Sequence, residues 1–366
     1  MNTFFPEMKK NFGFGCMRLP MKGEDVDYEE FSKMIDIFIE NGFNYFDTAV
    51  IYIDGKSEIA LGDCLAARYP RESFLLADKL SPNSFQCKED IEPFFNNQLK
   101  ACGVEYFDFY LMHTQHSRNY DHYKNNGAYE EAFRLKREGK IRHVGFSFHD
   151  NAEFLDKILT ENPDVEFVQL QFNYVDYEDD RVQSRLCYEV CVKHGKPVFV
   201  MEPVKGGHLV NMPDPVAKIV DDLGGGSRAS YAIRFAASFP NVVMVLSGMG
   251  NMDMMNDNIS FMKDFCPLNE KEMAALHKAA AIYRGEELIP CTGCRYCVDD
   301  CPQQIAIPDL FAAVNKGKNT DTPADFADIS GGKAADCVKC GKCEENCPQF
   351  LPIRALLRKV AKLEET

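Results

Sequence analysis

Long apolar runs are missing from this sequence. No segment reaches the ~18 consecutive apolar residues that a membrane-spanning helix needs. The first twenty residues, MNTFFPEMKKNFGFGCMRLP, contain no apolar stretch of signal-peptide type. A soluble cytoplasmic protein without a membrane partner is therefore expected.

Blocks of basic residues are also missing. The 366 residues include 41 Lys and Arg against 56 Asp and Glu, for a formal net charge of −15. Without a Lys/Arg block, nucleic acid and anionic membrane surfaces are disfavoured as partners. The excess of negative charge is explained by solubility alone.

The glycine-rich turn of dinucleotide-binding open sheets is lacking as well. After the first predicted strand, GFGCMRLP departs from G-x-G-x-x-G because position 18 is arginine. Eight nearly continuous apolar strands nevertheless alternate with helical patterns, as in a parallel sheet covered on both faces. The predicted strands are 12–19, 44–49, 74–80, 107–113, 142–149, 167–173, 197–203 and 242–248. Eight such units in about 250 residues predict an α/β fold, the (β/α)8 TIM barrel.

The domain organisation follows from a change of composition near the C-terminus. Helical periodicity is clear at 28–42 and at 127–140, and a helix at 269–283 closes the barrel or leads out of it. We therefore predict a barrel over 1–283, a linker over 284–290 and a small cysteine-rich domain over 291–366. That domain is expected to be largely helical.

Fifteen cysteines are present, and eight of them form two runs. Each run has the spacing C-x2-C-x2-C-x3-C-P, which is typical of ferredoxins with two [4Fe–4S] clusters. Zinc sites more often show two CxxC pairs. The predicted cluster ligands are Cys291, Cys294, Cys297, Cys301, Cys337, Cys340, Cys343 and Cys347.

The pairing of the runs is left open between two arrangements. In the crossed one, Cys347 completes the cluster of the first three cysteines, and Cys301 completes that of the second triplet. In the local one, each run holds its own cluster. The other seven cysteines are scattered, which argues against a disulfide framework and for a reducing compartment. Iron–sulfur clusters also suggest an oxygen-poor cell.

Four polar residues fall at or just after the ends of predicted strands, where barrels carry catalysis. Asp47 ends the second strand and Tyr52 follows it, while Lys79 and His113 end the third and fourth. A lysine ammonium is expected to lower the high pKa of a neighbouring tyrosine, and an aspartate would hold that lysine charged. A histidine could hold the substrate oxygen. These four residues are the predicted catalytic set.

The segments FDTAVIY, GKSEIALG, LLADK, DFYLMH, GKIRHVGFS and VQLQFNY resemble, in order, the aldo-keto reductase family over about 260 residues. With its C-terminal cysteines, the chain is similar to the members that carry a two-cluster ferredoxin domain. The resemblance implies that tyrosine gives a proton to a small-molecule carbonyl while NAD(H) or NADP(H) exchanges hydride. It carries the family's catalytic tetrad onto Asp47, Tyr52, Lys79 and His113.

The nicotinamide-binding residues follow less completely from the resemblance. Ser147 and Gln169 match the serine and glutamine that hold the carboxamide. The asparagine usual next to that serine is Phe148. Met201 stands where an aromatic side chain usually stacks on the ring, and a sulfur can pack there instead.

The resemblance also places the other end of the nucleotide. The pyrophosphate would lie under the loop that contains Pro203, Gly206 and Gly207. The adenosine end would lie at Gly248, Asp257 and Asn258. Gly248 and Met254 occupy the positions at which many members have the Lys and Arg that hold the 2′-phosphate of NADPH. NADH is therefore as plausible as NADPH, and another organic cofactor stays open.

Three functions remain possible at this point. The chain could reduce a carbonyl or activated double bond with electrons that enter its clusters from an external donor; the expected protein partner is an electron donor or acceptor. It could be an ordinary nicotinamide-dependent reductase whose clusters are structural or sensory. It could also be an electron-transfer or redox-sensing subunit whose barrel binds nucleotide without turnover. A flavin could join hydride to single electrons, but no flavin motif is recognisable.

Overall fold

Two compact units make up the chain. The computed structural model describes residues 4–364. The first unit consists of residues 4–203 and 230–269, and the second consists of residues 204–229 and 270–364. The domain boundaries proposed from the sequence, with the barrel ending at 283 and the cysteine-rich domain beginning at 291, remain predictions. No helix among the described residues is both long and apolar enough to cross a membrane.

The first unit is a closed barrel of eight parallel strands, which confirms the predicted (β/α)8 fold. Its strands lie in the order β1, β10, β9, β8, β7, β6, β5, β4, and a separate antiparallel hairpin pairs β2 with β3. The strands are β1 (Phe12–Gly15), β2 (Met21–Lys22), β3 (Asp25–Val26), β4 (Tyr45–Asp47), β5 (Leu75–Leu80), β6 (Phe107–Gln115), β7 (Ile141–Phe148), β8 (Phe167–Gln171), β9 (Val198–Met201) and β10 (Val242–Ser247).

Several strands are shorter than predicted. The first ends at Gly15 instead of position 19, because the chain then turns away after Cys16 donates its backbone N–H to the carbonyl of Asp47 (2.8 Å). The second predicted strand is reduced to Tyr45–Asp47. Apolar residues just beyond a strand belong to buried loops here, and hydrophobicity alone does not distinguish a buried loop from a strand.

Aromatic side chains fill the inside of the barrel. Phe109, Phe167 and Phe199 belong to one buried cluster, and Phe5 packs edge-on against all three. A Cβ on Gly145 would lie 2.5 Å from the Phe167 ring, so this position leaves no room for a side chain. Such a packed interior is a core and not a pore.

The helices show the expected amphipathic patterns. The first begins at an Asp27 cap, whose carboxylate accepts the N–H groups of Glu29 and Glu30, and it buries Phe31, Met34, Ile35 and Phe38. The helices are α1 (Tyr28–Glu40), α2 (Lys56–Leu61), α3 (Ile91–Ala101), α4 (Tyr120–Asn125), α5 (Ala128–Arg137), α6 (Ala152–Glu161), α7 (Ser184–Lys193), α8 (Asp214–Asp221), α9 (Arg228–Ala237), α10 (Met252–Met262), α11 (Glu270–Gly285), α12 (Ile307–Thr320), α13 (Lys342–Glu345) and α14 (Ile353–Glu364).

The second unit is helical, as expected. Within it, α8 packs against α11, and α14 packs against both α12 and α13. A small apolar core that includes Ile307, Phe311, Ile353 and Leu357 lies among the cysteine loops. This core supports the two cysteine runs. Among the described residues of this unit, β-pairing is limited to one isolated bridge, from Ile305 to Gly332.

Candidate functional site

The four predicted catalytic residues meet at the carboxyl ends of β4, β5 and β6. Asp47 is the last residue of β4, Lys79 lies in β5 and His113 in β6, while Tyr52 follows β4 in its loop. All four side chains are buried. The Nζ of Lys79 lies 2.7 Å from Asp47 Oδ1 and 3.2 Å from Tyr52 Oη. The fold therefore brings these residues together as the sequence predicts.

Lys79 is held by three oxygen atoms. Besides Asp47 and Tyr52, the carbonyl oxygen of Thr48 accepts from its Nζ at 2.7 Å. The ammonium also lies 4.7 Å from the centre of the Tyr52 ring. A buried charge is costly unless it is paired and hydrogen-bonded. Asp47 provides the opposite charge and pairs with the Lys79 side chain beside the tyrosine.

The expected lowering of the Tyr52 pKa is wrong for this structure. Burial raises the pKa of Tyr52 well above 10, and the nearby Asp47 carboxylate raises it further. The Lys79 ammonium, which also pairs with Asp47, does not offset these two effects in the unreacted phenol. Tyr52 is therefore a protonated phenol at neutral pH, the form that can donate a proton.

His113 is a neutral imidazole in this site. Burial lowers its pKa well below 6.5, and the positive charge of Lys79 and the neighbouring His149 add to the effect. Its Nδ1 shares a hydrogen bond of 2.9 Å with Ser81 Oγ. Tyr123 fixes the backbone by donating to the carbonyl oxygens of Leu80 and His113, both at 2.8 Å. The ring is thus held in one orientation.

Two buried carboxyl groups lie behind Lys79 and were missed in the sequence. Asp78 accepts the backbone N–H of Lys79 at 2.8 Å. Gln98 donates to Glu58 Oε1 at 3.1 Å and to the carbonyl oxygen of Lys79 at 3.0 Å. Burial raises the pKa of both carboxyl groups; the charge of Glu58 raises that of Asp78 further, whereas hydrogen bonds with Gln98 and Asp78 partly offset the rise at Glu58. Asp47 therefore remains the counter-ion of Lys79.

Two charged residues near Tyr52 were also missed. Arg18 follows β1, and Glu202 directly follows β9 with a positive φ of 57°. Both lie close enough to act on the pKa of Tyr52, after burial and Asp47, with opposite signs. Their positions just beyond strand ends are the signal that could have identified them.

Ser147 and Gln169 stand side by side in the barrel wall. They are register partners between β7 and β8, and both are buried. Ser147 Oγ accepts the backbone N–H of Thr114 at 2.8 Å. The Oε1 of Gln169 has no hydrogen-bond partner among residues 4–364. An unpaired buried acceptor is costly, and it fits an amide N–H of a bound molecule. Met201 ends β9 in the neighbouring strand.

The predicted adenosine residues take different positions around α10. Asn258 is buried and donates to Ser247 Oγ at 2.8 Å, so its amide serves packing in this structure. Asp257 is half-buried. A Cβ on Gly248 would lie 3.7 Å from the Cβ of Arg18. Met254 is 50% exposed, and its backbone N–H donates to the Asn251 cap.

The predicted pyrophosphate loop contacts the first cysteine loop within the second unit. Gly206 has a φ of 62°, and a Cβ there would overlap the backbone carbonyl of Thr292. The Nε2 of His208 lies 2.7 Å from the carbonyl oxygen of Cys291. Gly207 also has a positive φ of 96°, whereas Pro203 belongs to the first unit. Close packing on this cysteine loop therefore requires a glycine at position 206, whether or not a nucleotide binds there.

The eight predicted ligand cysteines surround two separate cavities. The first, with about 320 Å³ of space that includes open solvent, is lined by Cys291, Cys294, Cys297 and Cys347. The second has about 320 Å³ on the same measure and is lined by Cys301, Cys337, Cys340 and Cys343. In each cavity, the fourth cysteine comes from the other run. The grouping corresponds to the crossed arrangement.

The cysteine cavities suit clusters better than single ions. Four thiols line each cavity, the number that a [4Fe–4S] cluster needs. Burial, then the nearby Glu344, Cys337 and Cys340, raises the pKa of Cys343 to about 11. A bound metal displaces such thiol protons. Apolar side chains such as Ile307 line both cavities.

Two family models match the chain. The Aldo/keto reductase family model matches residues 11–281, and the 4Fe-4S dicluster domain model matches residues 290–351. An aldo-keto reductase of Mycolicibacterium smegmatis is 26% identical over 240 residues, which cover 65% of this chain and 82% of that protein. The uncharacterized oxidoreductase YqkF of Bacillus subtilis is 24% identical over 313 residues, which cover 74% and 94%.

Solved structures share the barrel fold. A thermostable aldo-keto reductase, solved with the inhibitor epalrestat, has a TM-score of 0.61 and 21% identity, covering 74% of this chain and 94% of its own. An aldo-keto reductase from Klebsiella pneumoniae, solved in complex with NADPH, has a TM-score of 0.59 and 20% identity, covering 75% and 90%. At these identities the likeness concerns the fold.

Proposed function

The chain belongs to the aldo/keto reductase family, and from this premise we propose that it reduces the carbonyl group of a small molecule with a nicotinamide nucleotide. The observation that carries the proposal is the buried contact of Lys79 Nζ with Asp47 Oδ1 and Tyr52 Oη, at 2.7 and 3.2 Å. A buried Lys–Asp pair is expensive and needs a reason. Activation of the tyrosine hydroxyl is such a reason.

The proposed proton donor is the hydroxyl of Tyr52. Its raised pKa keeps it protonated until negative charge develops on a carbonyl oxygen nearby. As the proton leaves, the forming phenolate is stabilised by the ammonium of Lys79, which Asp47 holds in place. The neutral ring of His113 then orients the carbonyl oxygen by a hydrogen bond without competing as an acid.

Residues in the barrel wall fit a nicotinamide. The carboxamide N–H of such a ring would pair with the unpartnered Oε1 of Gln169, next to Ser147. The hydride for the carbonyl carbon would come from the reduced nicotinamide. The NADPH complex of the Klebsiella pneumoniae relative supports this class of cofactor. Met201, Pro203, Gly206, Gly207, Gly248, Asp257 and Asn258 stay predicted contacts.

The cysteine cavities fit two [4Fe–4S] clusters, held in the crossed arrangement. Bound clusters would carry one electron at a time, supplied by or delivered to an external protein. The chain provides four thiols per cavity and an apolar cover that includes Ile307 and Leu351, which limits access of water. No recognisable sequence motif supports a bound flavin.

Anaerobically purified protein tests the proposal directly. We expect NADH or NADPH to be consumed, one molecule per carbonyl reduced, when small aldehydes and ketones are added. Cluster absorbance is followed in the same samples, and bound iron, sulfide and organic cofactor are quantified. Bleaching of the clusters by nucleotide would indicate exchange between the two redox systems. Absence of turnover across aldehydes, ketones and activated alkenes, with nucleotide bound, would favour the sensory function instead.

The choice of nucleotide can be shifted at Met254. In this chain a Met is found where many family members hold the 2′-phosphate with a basic side chain, and it is 50% exposed. Met254→Arg is expected to tighten NADPH binding by roughly fivefold through an exposed ion pair, while NADH binding stays within twofold. Titration calorimetry measures both dissociation constants.

The matched control for this change is Ser260→Arg. It adds the same charge at another exposed position of α10, six residues further along the helix. If both variants tighten NADPH equally, the effect is one of overall charge. The predicted position of the adenosine end would then be contradicted.

A further inference from the structure

The second cysteine run lies in a basic part of an acidic protein. Residues 333–364 contain seven Lys and Arg against four Asp and Glu, whereas 286–330 contain three against eight, in a chain of net charge −15. All seven basic side chains of 333–364 are exposed. We call this set the basic patch: Lys333, Lys339, Lys342, Arg354, Arg358, Lys359 and Lys362.

The basic patch adjoins the second cysteine cavity. Lys339 and Arg354 line that cavity together with its four cysteines. On α14, Arg354 and Arg358 are four residues apart and so share one face of the helix. Cys340 is itself exposed. A cluster bound here would therefore lie near the surface, under positive charge.

Much of this charge is not neutralised inside the protein. Arg354 pairs with Glu344 at 2.6 Å. In contrast, Lys339, Lys342, Arg358 and Lys359 form no ion pair with any residue of the described chain. An excess of exposed positive charge raises the encounter rate with partners of opposite charge.

Apolar side chains accompany the basic patch. Val338, between two cysteines of the run, is 58% exposed, and Phe350 is 42% exposed. Protein interfaces commonly combine apolar contacts with a charged, solvent-accessible rim. Charge alone would attract any polyanion, but the exposed Val338 and Cys340, which both line the second cavity, favour a protein that exchanges electrons.

We infer that the basic patch is the docking surface of a small acidic one-electron carrier protein, which reduces the cluster in the second cavity. The inference rests on the proposed function, since it needs a cluster at Cys301, Cys337, Cys340 and Cys343. In the transfer, the carrier loses one electron and the cluster gains it. No bond forms or breaks, and no proton moves.

Binding and reduction of the full-length holoprotein test the inference. The probe is a plant-type [2Fe–2S] ferredoxin, which is small and acidic, and dithionite serves as a carrier-independent reductant. We expect calorimetry to give a dissociation constant that rises with salt. Lys342→Glu/Arg358→Glu should weaken binding by roughly tenfold or more at low salt and slow reduction by ferredoxin, but not by dithionite.

The matched control is Lys271→Glu/Lys278→Glu. It makes the same charge change at two exposed positions of α11 in the same unit, and its binding should stay within about twofold of the parent. Equal weakening by both double variants, or preferred binding of the basic carrier cytochrome c, would overturn the docking inference. Iron content is measured throughout: missing clusters overturn the cluster sites of the proposed function, whereas intact clusters with patch-independent binding overturn the inference alone.

Discussion

Tyr52→Phe is expected to lower kcat for carbonyl reduction by roughly 10²–10⁴-fold, the range for a lost general acid. The hydroxyl that lies 3.2 Å from Lys79 Nζ would be gone, and water is poorly placed to replace it because the site is buried. Nucleotide affinity and cluster content should not change, since Ser147, Gln169 and the cysteines keep their surroundings. Steady-state kinetics, nucleotide titration and iron analysis measure the three properties.

Tyr45→Phe is the matched control. It also removes a tyrosine hydroxyl from the barrel, but at a core position where Oη has no hydrogen-bond partner within residues 4–364. Its activity should stay close to that of the parent. Unchanged turnover in Tyr52→Phe would refute the assigned role of Tyr52. Equal loss in both variants would point to a damaged fold.

Cys347→Ala is expected to remove one complete cluster and lower bound iron from about eight to about four atoms per chain. Cys347 lines the first cavity with Cys291, Cys294 and Cys297. A cubane that lacks one of four thiolates loses a ligand that no neighbouring side chain of that cavity replaces. Iron and sulfide analysis with electron paramagnetic resonance of the reduced protein gives the number of clusters. Cys266→Ala, at an exposed cysteine outside both runs, should leave it unchanged.

A double variant separates crossed from local ligation. In the crossed arrangement, Cys294→Ala/Cys347→Ala removes two ligands of the same cluster, so about four iron atoms should remain. In the local arrangement, the same pair belongs to two clusters, and nearly all iron should be lost. The second result would contradict the grouping that the cavities suggest.

Much of this architecture could be predicted from the sequence because its signals are local. Eight apolar strands and the repeated cysteine spacing indicate the barrel and the iron–sulfur unit without tertiary information. The meeting of the candidate catalytic residues was predictable because Asp47, Lys79 and His113 each come at or near the end of a strand. Parallel strands of a barrel bring those ends to one rim.

Other properties depend on three-dimensional surroundings. The pKa of Tyr52 was expected to fall because Lys79 is near, yet burial and Asp47 prevail. Asp78 directly precedes Lys79, but Glu58 comes twenty residues earlier, and only the fold brings it next to this pair through Gln98. The unpartnered oxygen of Gln169 cannot be recognised from residue type. Likewise, composition gives the charge of 333–364, but not its exposure.

The packing of α8 against α11 and of Gly206 on Thr292 has a consequence for how the chain folds. Residues 204–229 are synthesised between β9 and β10, yet their packing partners emerge from the ribosome only after β10 is complete. Val216, Ala217 and Val220 of α8 must wait for Leu276, Ala279 and Ala280 of α11 before they are covered. Deleting residues 291–366 keeps this cover, because α11 ends at Gly285, but it removes the Thr292 backbone on which Gly206 packs. A truncation that also removes α11 leaves the apolar side of α8 without that cover.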